Sequence, residues 1–394
     1  MQSNSLKNAL PFPLLTAPAD ANAGTQHAGQ IRQPWLVSPT IDLLFVCGIA
    51  PWCFGLLTYF LLGDVLSKPN PSSNEHALTI CYIVASLLIG ESHQFTSILR
   101  YFFGPKPGPK VHWITRLPLQ VIWFSLAILL ILSGASTMGQ FWIVSLLGTI
   151  LGFPAMVIAL PLVSLAANCF PLVLMHHICA QARTIGQIYC GKAGYQLSKA
   201  EIRNFAAVST MLVFAGTCNV ALPFSFDNTF IASDAFSIIK MLWNWGSVIG
   251  VAYVANQIVQ RGIKTMEWLP LPTALLWTNL VLFVLLPPTA MVYVWLFVPV
   301  FYHATQHWAV AWSAKQQENV NAAATRSHLK QFLALLLPVQ SLTLLVLFIP
   351  ALFMESSALG VGGKTLSVGW SMLIFYIHYF TDRIVWRPRL KEAT

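Results

Sequence analysis

Stretches of about 20 apolar residues recur along this chain, at roughly 41–63, 77–99, 117–135, 155–180, 205–225, 236–258, 272–286, 289–314, 330–353 and 365–387. A run of that length, wound as a helix, crosses a hydrocarbon layer about 30 Å thick. Inside lipid every backbone polar group must be paired within the structure, and a helix pairs its own. Composition agrees. Of 394 residues, 56% are hydrophobic and only 9% are charged, against roughly 25% charged in soluble domains. The expected fold class is therefore all-α: a polytopic integral membrane helical bundle with about ten transmembrane helices. One transmembrane domain is expected over 34–390, preceded by a flexible tail over 1–33 that is rich in Ala, Pro, Gln, Asn and Ser. The tail has no basic start followed by an apolar stretch, so it does not read as a secretory signal peptide.

Loop charges orient the bundle. Arg100, Lys106, Lys110 and Arg116 follow the second run, and Arg183, Lys192, Lys199 and Arg203 follow the fourth. Arg261 and Lys264 follow the sixth; Lys315, Arg326 and Lys330 follow the eighth; Arg383, Arg387, Arg389 and Lys391 follow the tenth. Basic residues thus follow every second run, and the positive-inside rule places both termini and these loops in the cytoplasm, as in a bacterial inner membrane. The formal charge of +9 is absorbed by that rule. No basic run is interleaved with aromatics, so no nucleic-acid partner is expected. The seven cysteines contain no CxxC pair and imply neither a disulfide framework nor a zinc motif. Residues 136–190 are too long for one crossing, and two would invert every later loop. The stretch 140–152 therefore reads as a re-entrant or interfacial piece, and Pro154, Pro161 and Pro171 predict a broken or kinked helix beside it.

Polar residues within apolar runs are costly and usually functional. Four clusters stand out: Glu91-Ser92-His93-Gln94, His176-His177 with Gln181, Tyr302 to Trp308 with His303 and His307, and His378 to Arg383 with Asp382. His93, His177, His307 and His378 each lie five to eight residues before a basic residue (Arg100, Arg183, Lys315 and Arg383), which is roughly 8–12 Å of helix. Four parallel runs therefore carry histidine to one depth, near the cytoplasmic end, as a shared site requires. His303 and His307 are four residues apart and share a helix face, a spacing that suits two imidazoles on one metal. His176 and His177 differ by about 100° around a helix, and the residues leave open which of them ligates. Asp382, four residues after His378, and Glu91, two before His93, are the carboxylates expected to support the imidazoles and take part in catalysis. The candidate metal ligands are accordingly His93, His176, His177, His303, His307 and His378. Several neutral imidazoles without thiolates suit iron, copper or zinc. The zincin HExxH is absent, because residue 304 is Ala.

FYHATQHWAVAW (301–312) and IHYFTDRIVWR (377–387), together with His93 and one of His176 or His177, resemble the motifs of the Brp/Blh family of membrane β-carotene 15,15′-dioxygenase-like proteins. That resemblance implies a non-haem Fe(2+) held by four histidines and a dioxygen-dependent reaction on a carotenoid. Together with a site inside the bundle, it leads to an expected oxygenase or oxidase acting on an apolar small molecule or lipid, such as a carotenoid or isoprenoid, within membrane lipid. Two other classes stay open. A transporter would use the His/Glu/Asp cluster to relay protons or a metal ion, with inverted repeats as its mark. A bis-histidine haem protein would need only two of the histidines.

Overall fold

The computed structural model describes residues 35–66, 92–103, 153–222, 233–287, 295, 297–319, 336–349, 374–379 and 381–382. Among them the secondary structure is entirely helical, as the apolar runs require. The helices are α1 (Pro39–Ile41), α2 (Ile49–Leu66), α3 (Ser92–Phe103), α4 (Phe153–Ala193), α5 (Lys199–Gly216), α6 (Asp234–Thr265), α7 (Leu271–Leu285) and α8 (Phe297–Asn319). A wide turn, Asp42–Val46, follows α1, and another, Thr217–Ala221, prolongs α5.

Two helices are long and apolar enough to cross a membrane, Lys199–Ala221 and Asp234–Thr265. The pair Pro39–Val46 and Ile49–Leu57, bent by 45° at its break, forms a third candidate. The other expected crossings rest on shorter or partly described segments, and residues 67–91 and 104–152 lie outside the described residues, including the piece expected at 140–152. Of the broken or kinked helix expected next to it, the break is corrected by the structure. α4 continues as one helix from Phe153 to Ala193, through Pro161 and Pro171. Proline costs one intrahelical hydrogen bond and a steric push, which neighbouring helices in a bundle offset. At 1.5 Å per residue α4 is about 60 Å long, roughly twice the thickness of a hydrocarbon layer.

The ends of the helices follow local chemistry. Ser198 caps α5 by accepting from the Glu201 amide at 3.2 Å, while Glu201 Oε2 accepts from the Ser198 amide at 2.7 Å. This reciprocal pair fixes where α5 begins. Arg261 of α6 then donates to Glu201 at 2.8 Å and to Glu267 at 2.7 Å, with its guanidinium 4.2 Å over the Tyr195 ring. Burial, with Glu201 alongside, pushes the Tyr195 phenol up to about 12, so it stays protonated at any physiological pH. Lys192 donates to the Trp35 carbonyl at 3.0 Å, and Ser313 to the Leu36 carbonyl at 3.2 Å. The 35–37 segment, the α4–α5 and α6–α7 connections and the far part of α8 therefore meet at one end of the bundle. These are four of the regions that the charge pattern assigns to a single side. α6 leaves Ile238, Leu242, Trp245, Ile249 and Tyr253 exposed along its length. An apolar face of this kind is at home against lipid.

The break between the first two helices is built rather than loose. Gly48 sits at φ 111°, a conformation that favours glycine. The carbonyls freed around it are each met by a side chain from another helix. Phe45 O accepts from Thr305 Oγ1 at 2.7 Å, and Val46 O from Gln306 Nε2 at 3.2 Å. Cys47 O accepts from Asn279 Nδ2, whose Oδ1 in turn accepts from Trp52 Nε1 at 2.6 Å. A Cβ on Gly48 would lie 2.9 Å from Asn279 Nδ2. We therefore expect Gly48→Ala to cost about 2 kcal/mol or more, read as a lower Tm in detergent. Gly246→Ala, where a Cβ meets nothing within 4 Å, should instead be neutral or stabilise by up to about 1 kcal/mol.

Candidate metal centre

Four helical segments converge on one buried cluster. α3 brings His93, α4 brings His177, α8 brings His303 and His307, and the 374–379 turn brings His378, followed by Asp382. The histidines are between 0% and 7% exposed and Asp382 is 9% exposed. The alignment in depth read from the basic residues thus becomes contact in space. Gln181, one turn beyond His177, donates to the His303 carbonyl at 2.9 Å and ties α4 to α8 beside the cluster.

The rings form a closed circuit. Centroid separations are 4.8 Å from His93 to His303, 4.4 Å from His303 to His177, 5.0 Å from His177 to His378 and 4.6 Å from His378 back to His93. The diagonal from His303 to His378 is 6.2 Å. Imidazoles bound to one ion through nitrogens at about 2.1 Å place their centroids about 3.2 Å from it; neighbours at right angles are then about 4.5 Å apart and opposite pairs about 6.4 Å. Ring spacing of this kind brings the imidazoles within reach of a shared ion, and their donor atoms fall into two groups that overlap at His378.

Asp382 approaches the same place. His177 Nε2 and His378 Nε2 are 3.1 Å apart, and Asp382 Oδ2 lies 3.6 Å from the first and 3.4 Å from the second. A point equidistant from these three atoms is about 2 Å from each, an ordinary metal–ligand length. Two donor groups among the described residues are close enough to share an ion: His93, His303 and His378, and His177, His378 and Asp382. His378 belongs to both. Both ring nitrogens of His303 are buried with no hydrogen-bond partner among the described residues. Leaving a buried donor or acceptor unmade costs about 1–3 kcal/mol, and a bond to a metal offsets that cost. The residues present therefore fit a metal ion; nothing in the geometry specifies which one.

The remaining candidates separate. His307 stands against the circuit, its centroid 5.3 Å from both His93 and His378 and 6.4 Å from His303. Its nitrogens are already engaged: Nδ1 is 2.9 Å from Thr96 Oγ1, and Nε2 is 2.9 Å from Asp382 Oδ1 and 3.0 Å from Ser97 Oγ. Ser97 also donates to Asp382 Oδ1. The shared face of His303 and His307 is thus real, but the two rings do different things. Of the adjacent pair, His177 points into the cluster, whereas His176 is exposed and hydrogen-bonded at Nδ1 to Tyr379 at 3.2 Å. Glu91 lies outside the described residues. Thr96 and Ser97 are site residues that the reading of the polar clusters missed. The signal was present, since they follow His93 by three and four residues and so share its helix face.

No protein-family model, curated protein or solved structure matches the chain; the site is read from its own geometry.

Proposed function

We propose that the chain is a membrane-embedded metal enzyme, a non-haem iron oxygenase or oxidase acting on an apolar substrate such as a carotenoid, isoprenoid or lipid. One observation carries this reading: the closed circuit of His93, His177, His303 and His378 with Asp382 Oδ2 at its side. The resemblance of the 301–312 and 377–387 segments to the Brp/Blh motifs supports the same reading. Ten crossings with both termini and the basic loops in the cytoplasm of a bacterial inner membrane form part of the proposal, supported by the alternation of charge and by the gathering of basic connections at one end.

Imidazoles with a carboxylate and no thiolate suit iron as well as zinc or copper, and it is the motif resemblance that favours iron. When bound, a ferrous ion supplies redox chemistry toward dioxygen that no side chain here can supply. The chain's own residues do the rest. Four neutral imidazoles and one carboxylate hold the ion's charge in a place closed to bulk water. Ser97 and His307 fix the carboxylate through Oδ1, and Thr96 meets the other nitrogen of His307. On the outer side of His177 stand Phe375 at 5.9 Å and Tyr379 at 5.1 Å, with Phe170 5.1 Å beyond Phe375. That aromatic wall suits the flank of an unsaturated hydrocarbon better than it suits an ion path.

Elemental mass spectrometry on detergent-purified protein, prepared without an affinity-metal step, tests the reading alongside an optical spectrum. About one iron per chain and no Soret band is the expected result. A Soret band would make this a haem protein, and a metal-free chain would move the cluster to proton relay and the leading function to transport.

A further inference from the structure

Five histidines and one carboxylate gather in one place, and their hydrogen bonds divide the work among them. We infer that His307 is a positioning residue and not a ligand: it holds Asp382 by Oδ1, which turns Oδ2 to the His177 and His378 nitrogens, so that the carboxylate completes the metal's donor set. This rests on the metal reading above and assigns roles within it.

Three features of the geometry argue for the division. First, the two carboxylate oxygens face different partners. Oδ1 has His307 Nε2 at 2.9 Å and the Ser97 hydroxyl, whereas Oδ2 has His177 Nε2 and His378 Nε2 at 3.6 and 3.4 Å. A carboxylate gripped on one oxygen by two donors cannot turn, and its other oxygen is aimed. Second, His307 has no nitrogen to spare, because Thr96 Oγ1 occupies the Nδ1 side at 2.9 Å. His303, one turn earlier on the same helix, has both nitrogens without such partners among the described residues. Third, the grip comes from two helices, since α3 supplies Thr96 and Ser97 while α8 supplies His307. The same two helices carry the ligands His93 and His303. Any shift of α3 against α8 would therefore move both the imidazoles and the carboxylate.

The consequence is a donor set of four imidazoles and one carboxylate, in which an HxxxH pair contributes one ligand rather than two. Supporting groups of this kind typically change metal affinity by about 10–100-fold when removed, whereas loss of a ligand also changes the ion's ligand field directly.

Cobalt(II) loaded into the full chain in detergent reports both quantities, through its stoichiometry and its visible d–d absorption. Wild type should take one cobalt per chain. His307→Ala should still bind cobalt at saturation, about 10–100-fold more weakly, with its absorption displaced in the same direction as in Asp382→Asn. Combining the two substitutions should add little. His307→Gln, whose amide can donate to Oδ1, should restore the wild-type spectrum. The assignment is overturned if His307→Gln shows a spectrum altered as by loss of an imidazole, or if His307→Ala takes no cobalt while Asp382→Asn does. It is equally overturned if His307→Ala is indistinguishable from wild type in affinity and spectrum. Should His307→Ala fail to insert, His307→Gln decides alone. A wild-type chain that binds no cobalt and no iron would sink the metal reading itself, a different failure from the others.

Discussion

Replacing His378 with Ala is expected to leave the purified chain without metal while it still inserts in the membrane. His378 is the one residue common to both donor groups, and it is fully buried between His93 and His177. Its loss removes a neighbour from each side of the circuit and the closest nitrogen contact of His177. Metal content measured by elemental mass spectrometry should fall from about one ion per chain to below a tenth. His176→Ala is the matched control: that ring faces outward to Tyr379, and its removal should leave occupancy unchanged. Equal loss in both variants would mean that the fold, and not the donor set, had been damaged.

The second large effect is expected from the joint replacement of Asn279 and Gln306 by Leu. These side chains meet the Cys47 and Val46 carbonyls at the bend after the first turn of the bundle. Leucine fills the space but leaves both carbonyls, and the Trp52 indole N–H, without their partners. Unmade buried hydrogen bonds cost about 1–3 kcal/mol each, although interhelical bonds in membrane proteins often measure near 1 kcal/mol or less. A combined loss of about 3 kcal/mol is expected, seen as a lower Tm in detergent. Because Gln306 lies beside His307 and one turn from His303, faster release of bound metal to a chelator should accompany it. A lower Tm with an unchanged release rate would show that the bend and the site are mechanically separate.

Much of this was legible in the sequence, for definite reasons. Run length and sparse charge required helices. The alternation of basic residues anticipated which connections share an end, as Arg261 beside Glu201 and Lys192 beside Trp35 now illustrate. The depth of His93, His177, His307 and His378 followed from counting back to the next basic residue. What stayed hidden was angular and pairwise. A spacing of four places His303 and His307 on one face, but only the Thr96, Ser97 and Asp382 contacts distinguish them. The neighbours His176 and His177 differ by their rotation about α4, which no local pattern reveals. Three prolines suggested a break in α4, yet a long helix supported by its neighbours runs through Pro161 and Pro171. Instead, the break lies after Val46, where Gly48 was the one available cue.

The four imidazoles are spread over almost three hundred positions of chain, from His93 to His378, on four separate helices. A ribosome delivers them one at a time. When α3 is made it carries a single imidazole of the circuit, and α4 adds a second long before α8 exists. His93 and His177 alone do not make up either donor group, each of which needs His378. Only the arrival of the segment bearing His378 and Asp382 closes the circuit. On the metal reading proposed above, metal uptake would then certify completed assembly and be withheld from any product that stops short.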